Sequence, residues 1–195
     1  MKKGRVYTLN FRRKREGKTD YKSRLKLLSS HKSRVVLRKR LNNFSIQIIK
    51  FESTGDKVII SSYTRDLLKY GWKGHRGNLS SSYLVGLLCG LRAKKNSINS
   101  GVADFGLYRV VSGSSMFAAI KGLTDAGFDI AVKKDYLPSE ERISGKHIDN
   151  YANVIKGKEN YNKQFSNYIK SGLRPEEFSK HFEEVKKKIL KDGNN

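Results

Sequence analysis

The positive charge of this 195-residue chain is concentrated near its N-terminus. Residues 1–40 contain sixteen Lys and Arg against Glu16 and Asp20, a net charge of +14, whereas the charges of residues 176–195 cancel. Residues 1 to about 18 combine this charge with little apolar periodicity. They cannot supply a core of their own, and we expect them to become ordered on a partner. The fold must therefore be built by the rest of the chain, which leaves this N-terminal arm for binding.

Composition narrows the classes of protein to which the chain can belong. Its formal charge is +23 and 37% of its residues are hydrophobic, which supports a modest core and argues against disorder of the whole chain. A protein with this charge is usually bound to a polyanion, and nucleic acid is the first candidate. The longest nearly apolar run, Tyr83 to Leu91, is much shorter than the ~20 residues of a membrane span, and no apolar stretch of the signal-peptide type follows the basic N-terminus. We expect a cytoplasmic protein without membrane association, with its single Cys89 in the core.

Three strand-like segments follow the Ser29-Ser30-His31 break. In the second segment, Phe44, Ile46 and Ile48 alternate with polar residues, as in a half-buried strand. Turn-forming residues separate the segments, so we predict an antiparallel meander. The predicted strands are Arg34–Arg40, Phe44–Phe51 and Val58–Tyr63.

Helical periodicity follows the meander. The first predicted helix has leucines at i, i+3, i+4 and i+7, which are Leu84, Leu87, Leu88 and Leu91. A further strand is predicted over Val102–Val111, and then a second helix that contains Met116, Ile120 and Leu123 and ends at Gly127. Together these elements predict an α/β (mixed α+β) fold, in which a mixed sheet that begins with an antiparallel meander is covered by helices.

The C-terminal third is predicted to extend this body. A short helix is expected around Phe165, and Pro175 opens a longer helix at an N1-like position. Its apolar stripe consists of Phe178, Phe182, Val185 and Ile189. The stripe can pack on the chain's own body, with Tyr161, Phe165 and Tyr168 as the facing surface, or on a neighbouring protein. We expect the first arrangement.

The chain is therefore divided into a basic arm with a short helix (1–30), a mixed α/β body (31–130), and an extended connection with C-terminal helices (131–195). In the arm, Thr19 or Asp20 is the expected N-cap of the short helix, and Leu25 and Leu28 are expected to anchor its apolar side. Residues 131–160 show weak periodicity and are expected to form a polar connection along the surface.

The arm interleaves arginines with aromatic residues. Guanidinium groups make forked hydrogen bonds to phosphate oxygens and stack on bases, so an arginine-rich run between Phe11 and Tyr21 suits RNA. A nuclear-type address or a solvated tail is the alternative. A second cationic set, Arg34 with residues 38–40, lies on the first predicted strand. Either this strand faces a polyanion or it is a charged edge that discourages aggregation.

Support for catalysis is weak. Asp104, Asp125 and Asp129 could hold a divalent metal in a nuclease site, but capping and turn roles at the predicted helix end near Gly127 explain the last two better. The four histidines are scattered, and we expect them at the surface. The glycines match neither a Walker loop nor a dinucleotide fingerprint.

Several short sequence runs, spread over nearly the whole chain, are similar to segments of a known protein family. They are Phe11–Tyr21, Tyr70–Trp72, Tyr83–Leu88 with Gly90–Arg92, Asp104–Leu107, Met116–Gly122, Asp125–Gly127 and Tyr161–Ile169. Together they resemble the 5S rRNA-binding protein of the large ribosomal subunit, the family called L-eighteen in bacteria and archaea and L-five in eukaryotes. The long arm, the C-terminal extension and the brief loop between Lys95 and Val102 are similar to the archaeal form. The loop Gly71–Arg76 departs from the eukaryotic pattern.

The resemblance implies a non-enzymatic protein of the cytoplasmic ribosome, with no cofactor and no metal. Its implied partners are 5S rRNA, 23S rRNA and neighbouring large-subunit proteins, including the other 5S-binding protein, in the central protuberance. A metal-dependent RNA-processing nuclease that uses Asp104, or another basic RNA-binding protein, is the alternative; a DNA-binding protein would lack a clear recognition helix. The residues expected to contact RNA are Arg5, Phe11, Arg12, Arg13, Lys14, Arg15, Lys18, Tyr21, Arg24, Arg34, Arg38, Lys39, Arg40, Trp72, Lys73, His75, Arg76 and Arg92.

Overall fold

A five-stranded mixed sheet forms the centre of the protein, as seen in a computed structural model that describes residues 8–194 and the side chains of residues 8–193. The strands are β1 (Arg34–Lys39), β2 (Phe44–Glu52), β3 (Gly55–Tyr63), β4 (Ser100–Asp104) and β5 (Asp129–Ile130), in the order β3-β2-β1-β4-β5. The first three strands pair antiparallel, and β4 pairs parallel with both β1 and β5. The predicted mixed α+β fold with its opening meander is therefore confirmed.

Helices occur before, between and after these strands in the described part of the chain. They are α1 (Arg12–Arg15), α2 (Tyr21–Leu28), α3 (Leu79–Lys95), α4 (Ser115–Asp125), α5 (Glu140–Ser144), α6 (Lys146–Ile155), α7 (Asn160–Gln164), α8 (Ser166–Lys170) and α9 (Phe178–Asn194). Short 3-10 turns occupy Asp66–Tyr70, Lys134–Tyr136 and Pro175–Glu177. None of the helices within residues 8–194 is long and apolar enough to cross a membrane.

Three predicted segments differ from the structure. The strand predicted over Val102–Val111 ends at Asp104, because the Asp104 side chain accepts a hydrogen bond from the Gly106 N–H at 2.8 Å and Gly106 adopts a positive φ of 61°. This local turn directs the following residues into an exposed loop. The predicted polar connection at 131–160 instead contains α5 and α6, and the single short helix predicted around Phe165 is divided into α7 and α8.

Helices α3 and α4 cross in direct backbone contact under the sheet. A Cβ atom on Gly86 would overlap the Ala119 carbonyl, and one on Gly122 would overlap the Tyr83 carbonyl. The glycines let the two helix backbones approach closely, so α3 becomes almost completely buried. One face of α3 packs on the inward side chains of the meander, including Leu37 and Ile46.

The C-terminal helix α9 packs into the same core from the other side of α3. The stripe residues Phe178, Phe182, Val185 and Ile189 are all buried in the main hydrophobic cluster. The prediction that the stripe packs on the chain's own body is confirmed. The facing surface was only partly correct: Tyr168 contacts Phe178 with ring centroids 5.8 Å apart, but Phe165 belongs to a separate small cluster. Tyr83 of α3 also faces the stripe, with its ring 5.8 Å from that of Phe182.

Candidate nucleic-acid interface

An open groove of about 980 Å³ lies between the basic arm and the outer face of the sheet, and we name it the arm groove. Val36 and Ile49 form an apolar part of its floor, while α2 forms one wall. The alternation along β1 explains this floor, because Val35 and Leu37 point into the core and Arg34, Val36 and Arg38 point to the opposite face. The cations that line the groove are Arg13, Lys18, Arg24, Lys26, Arg34 and Arg38.

The arm helix α2 begins at a well-formed N-cap. The Asp20 carboxylate accepts hydrogen bonds from the Lys22 N–H at 2.9 Å and from the Ser23 hydroxyl at 2.6 Å. The hydrogen bonds from Ser23 contribute most to holding the pKa of Asp20 below its ordinary value. The predicted apolar anchor is wrong for Leu25, which is 70% exposed, and neither α1 nor α2 has a buried residue. Leu27 and Leu28 are half-buried, and polar contacts add to the attachment of α2 to the body.

Those contacts form a chain of ion pairs from the arm into the sheet, which we name the ion-pair chain. Arg24 Nη2 of α2 lies 2.8 Å from both carboxylate oxygens of Asp56 on β3. Arg34 Nη2 on β1 lies 2.8 Å from the same carboxylate, and Arg34 Nη1 donates to Asp104 on β4 at 2.9 Å. Burial of Asp56 acts to raise its pKa, but the guanidinium groups of Arg34 and Arg24 outweigh burial and hold the pKa below its ordinary value.

Arg34 was expected to contact RNA, but its side chain is buried in the sheet. Its side chain is 3% exposed and its charge is neutralised by Asp104 and Asp56. The contact with Asp56 is mainly electrostatic, since Arg34 Nη2 makes no aligned hydrogen bond there. The idea that β1 is a charged edge strand is also wrong, because β1 lies between β2 and β4 in the sheet.

A second basic surface, the turn patch, adjoins one end of the groove and consists of residues 39–43 and 73–77. The two segments meet where His75 Nε2 lies 3.3 Å from Asn42 Oδ1 and where the backbone of Gly77 approaches Leu41. Tyr108 lines the arm groove and donates from its hydroxyl to the Lys39 carbonyl at 2.6 Å. The groove and the patch are thus connected through Tyr108. The patch carries the exposed cations Lys39, Arg40 and Lys73 and the half-buried Arg76.

Two further residues expected to contact RNA have structural roles instead. Trp72 is 2% exposed, and its ring packs edge-on against Phe178 and stacks on His181, so no base can reach its face. Arg92 Nη1 donates to the Ser61 carbonyl at 2.6 Å and contacts Asp66 at 2.8 Å. Arg92 therefore ties α3 to the end of β3.

The other expected contacts fall into two groups. The arm groove is lined by Arg13, Lys18, Tyr21, Arg24 and Arg38, while Phe11, Arg12, Lys14 and Arg15 belong to α1 and its N-cap. On the turn patch lie Lys39, Arg40, Lys73, His75 and Arg76. Phe11 and Tyr21 pack together with ring centroids 5.0 Å apart. Arg5 lies outside the described residues.

The list of residues expected to contact RNA omits Lys26 and Tyr108, which also line the groove. Lys26 continues the basic run of the arm beyond Arg24, and this charge pattern could have added it to the list. Tyr108 was hidden by the wrong strand prediction.

The acids considered for a nuclease do not converge. Asp104 is paired with Arg34, while Asp125 accepts a hydrogen bond from the Tyr83 hydroxyl at 2.7 Å. Burial and this bond together raise the pKa of Tyr83. Among the residues that the structure describes, no three His, Cys, Asp or Glu side chains are grouped closely enough to hold a metal ion.

The family comparison agrees with this arrangement. Residues 5–102, half of the chain, match the family described as ribosomal large subunit proteins 60S L5 and 50S L18. The matched stretch contains α1, α2, the meander and α3, and it ends within β4, so it includes the turn patch and most of the arm groove. The resemblance seen in the sequence is therefore confirmed, and this protein belongs to the family of the large-subunit ribosomal proteins 60S L5 and 50S L18.

Proposed function

We propose that this protein binds 5S rRNA and helps to hold it against 23S rRNA in the central protuberance of the large ribosomal subunit. In this role it is a structural and non-enzymatic component of the cytoplasmic ribosome, of the archaeal type, and it lies beside the other 5S-binding protein. Family membership supports the ribosomal context, and the resemblance of the sequence runs to the 5S-binding family supports the choice of 5S rRNA.

The observation that carries the proposal is the arm groove. Lysine and arginine side chains surround a floor that is partly apolar, and Phe11, Tyr21 and Tyr108 lie at its margin. Phosphate oxygens would pair with the cations, and unpaired bases could stack on the exposed rings of Phe11 and Tyr108. Helix α2 lies against the sheet and does not project from the body as a DNA-reading helix would. The geometry therefore favours RNA with splayed bases.

The proposed RNA contacts are the arm and turn-patch residues that the structure leaves accessible. The arm contributes Phe11, Arg12, Arg13, Lys14, Arg15, Lys18, Tyr21 and Lys26, and the patch contributes Lys39, Arg40, Lys73, His75 and Arg76. Arg24 and Arg38 line the groove with part of each guanidinium already bound by the protein. We assign phosphate binding to the lysines and both phosphate binding and stacking to the arginines.

A salt titration tests this proposal. We expect the logarithm of the association constant for 5S rRNA transcribed in vitro to fall steeply with the logarithm of the KCl concentration, because each neutralised phosphate releases counterions. The double variant Lys18→Gln/Lys26→Gln should reduce the slope by about 1.4–1.8, at ~0.7–0.9 per contact. The matched control is Lys187→Gln/Lys191→Gln, which removes the same charge from exposed positions of α9 on the other side of the body. Its slope should equal that of the wild type.

Recovery of RNA from cells provides the second half of the test. The tagged protein, purified from an extract depleted of ribosomes, should carry one small structured RNA, and sequencing should identify 5S rRNA. Recovery of unrelated RNAs without preference would contradict the assignment of 5S rRNA. Equal slopes for the two double variants would contradict the role of the arm groove.

A further inference from the structure

We propose that Asp56, an acidic residue, is a positioning residue that strengthens RNA binding by holding α2 over the sheet. The inference rests on the proposed function, since it concerns how the arm groove is made ready for RNA. Asp56 itself needs no contact with RNA. It acts through Arg24, the residue of α2 to which it is paired.

Helix α2 is weakly anchored by apolar side chains, since Leu27 and Leu28 are only half-buried and Leu25 is 70% exposed. It has eight residues and none of them is buried. Isolated helices shorter than ~12–15 residues are marginal in water, so α2 needs an attachment to the body to keep its position. The Arg24–Asp56 pair supplies one, with both side chains only 28% exposed and a single guanidinium nitrogen within 2.8 Å of both carboxylate oxygens.

The other end of the attachment is rigid. Asp56 lies opposite Phe51 in the β2–β3 ladder, and its carboxylate also contacts the buried guanidinium of Arg34. Arg34 is fixed in turn by Asp104 on β4. Arg24 is therefore held against a carboxylate whose position is set by three strands of the sheet.

Simple electrostatics and the positioning role predict effects of opposite sign. A carboxylate beside a cationic groove repels an anionic ligand, so its removal alone should tighten RNA binding. If Asp56 holds α2 in its binding position, its removal should weaken binding, because the apparent dissociation constant rises as the competent fraction falls. The sign of the change distinguishes the two cases.

The first experiment compares Asp56→Asn with Glu52→Gln in titrations with 5S rRNA transcribed in vitro. Glu52 lies in the same hairpin, and its nearest basic partner is the exposed Lys57, at 3.7 Å, so the control removes an equal charge without touching α2. We expect Asp56→Asn to weaken binding about tenfold, which corresponds to a competent fraction of about one tenth. Glu52→Gln should leave binding equal or slightly tighter. Asp56→Glu, which keeps the charge, should recover part of the loss.

A double-mutant cycle with Arg24→Gln separates the arm from the Arg34 end of the ion-pair chain. Asp56→Asn should cost much less affinity in the Arg24→Gln background than in the wild type, because the link to α2 is already broken. An undiminished cost would show that Asp56 acts through Arg34 and the body, and would overturn the inference. Arg24→Gln leaves Arg34 and Asp104 paired, so it tests the link to α2 even if Asp56→Asn disturbs the fold.

Hydrogen exchange tests the attachment without RNA. In the free protein, the amides of α2 should exchange faster in Asp56→Asn and in Arg24→Gln than in the wild type, while Glu52→Gln should have no effect. Unchanged exchange in both variants would overturn the attachment. If the wild type does not bind 5S rRNA, the proposed function fails and the role in RNA binding fails with it. If the wild type binds and Asp56→Asn binds equally well, only this inference fails.

Discussion

At the scale of single residues, His181 shows how a side chain expected on the surface becomes part of the fold. Its Nε2 atom accepts a hydrogen bond from the Lys73 backbone N–H at 3.1 Å, and its ring stacks on Trp72 with centroids 5.3 Å apart. An imidazolium has no free lone pair, so only the neutral ring can accept this bond. Burial lowers the pKa of His181; Glu184 opposes the shift, while Lys73 and Lys188 add to it.

This pKa shift predicts a dependence of stability on pH. The folded pKa lies below the ordinary value of 6.5, so the unfolded chain binds the proton more readily. The contribution of the neutral His181 to the free energy of unfolding is complete above pH 6.5 and is lost as the pH falls toward the folded pKa. Urea unfolding at several pH values should show a steeper loss of the unfolding free energy in the wild type than in His181→Gln, whose amide oxygen can accept the same bond without titrating. Burial also lowers the pKa of His147, which is present in both proteins. Both should therefore keep some dependence of the unfolding free energy on pH, and the His181→Gln variant should show the weaker one. Identical slopes would contradict the prediction.

At the scale of elements, the crossing of α3 and α4 sets the position of the largest part of the core. Gly86 and Gly122 each face the backbone of the opposite helix, and a Cβ atom at either position would overlap a carbonyl group. Glycine normally weakens a helix interior, so its value here lies in the close contact between helices. The gain is the burial of Leu84, Leu87 and Leu88 between the sheet and α4.

Substitution of Gly86 tests this account. Gly86→Ala should destabilise the protein by up to about 2 kcal/mol, because an overpacking cost of about 1–3 kcal/mol is only partly offset by a gain in helix propensity of about 1 kcal/mol. Gly193→Ala is the control, since its Cβ would meet the flexible end of the Leu91 side chain and not a backbone. Chemical denaturation of both variants gives the comparison. A Gly86→Ala variant as stable as the wild type would show that α3 and α4 can separate at little cost.

At the scale of the whole molecule, the core and the arm part of the proposed binding surface use different parts of the chain. The main hydrophobic cluster runs from Val35 to Ile189 and includes no residue of α1 or α2. The arm contributes charge and one wall of the arm groove, and the sheet contributes the floor. Folding of the body and binding by the arm should therefore separate in experiments.

Removal of residues 1–18 should leave the body folded and reduce its affinity for 5S rRNA by orders of magnitude. The deletion keeps α2 and the ion-pair chain, but it removes the four cations of α1, of which Arg13 lines the groove, and also Lys18 of the groove. Thermal unfolding followed by circular dichroism should stay cooperative with a similar midpoint, while a binding titration should show the loss. Loss of cooperative unfolding would place the arm in the folding unit and contradict this separation.

Local patterns were enough to identify most elements of this protein. The alternation of Phe44, Ile46 and Ile48 predicts β2, the leucines of α3 predict its helix, and the stripe on α9 predicts its burial, because each pattern reflects one face of one element. The concentration of charge in residues 1–40 likewise indicates the proposed binding region, because net charge is a property of the composition and needs no knowledge of packing.

Contacts between distant segments were decided only by the tertiary structure. Arg34 and Arg38 occupy the same face of β1, yet Arg34 is buried because Asp56 and Asp104 arrive from two other strands. Trp72 is among the residues that the sequence predicts to contact RNA, yet α9, more than a hundred residues later, covers its ring. The side chain's own sequence neighbourhood contains no information about such partners, because burial and charge pairing depend on which segments the fold brings together.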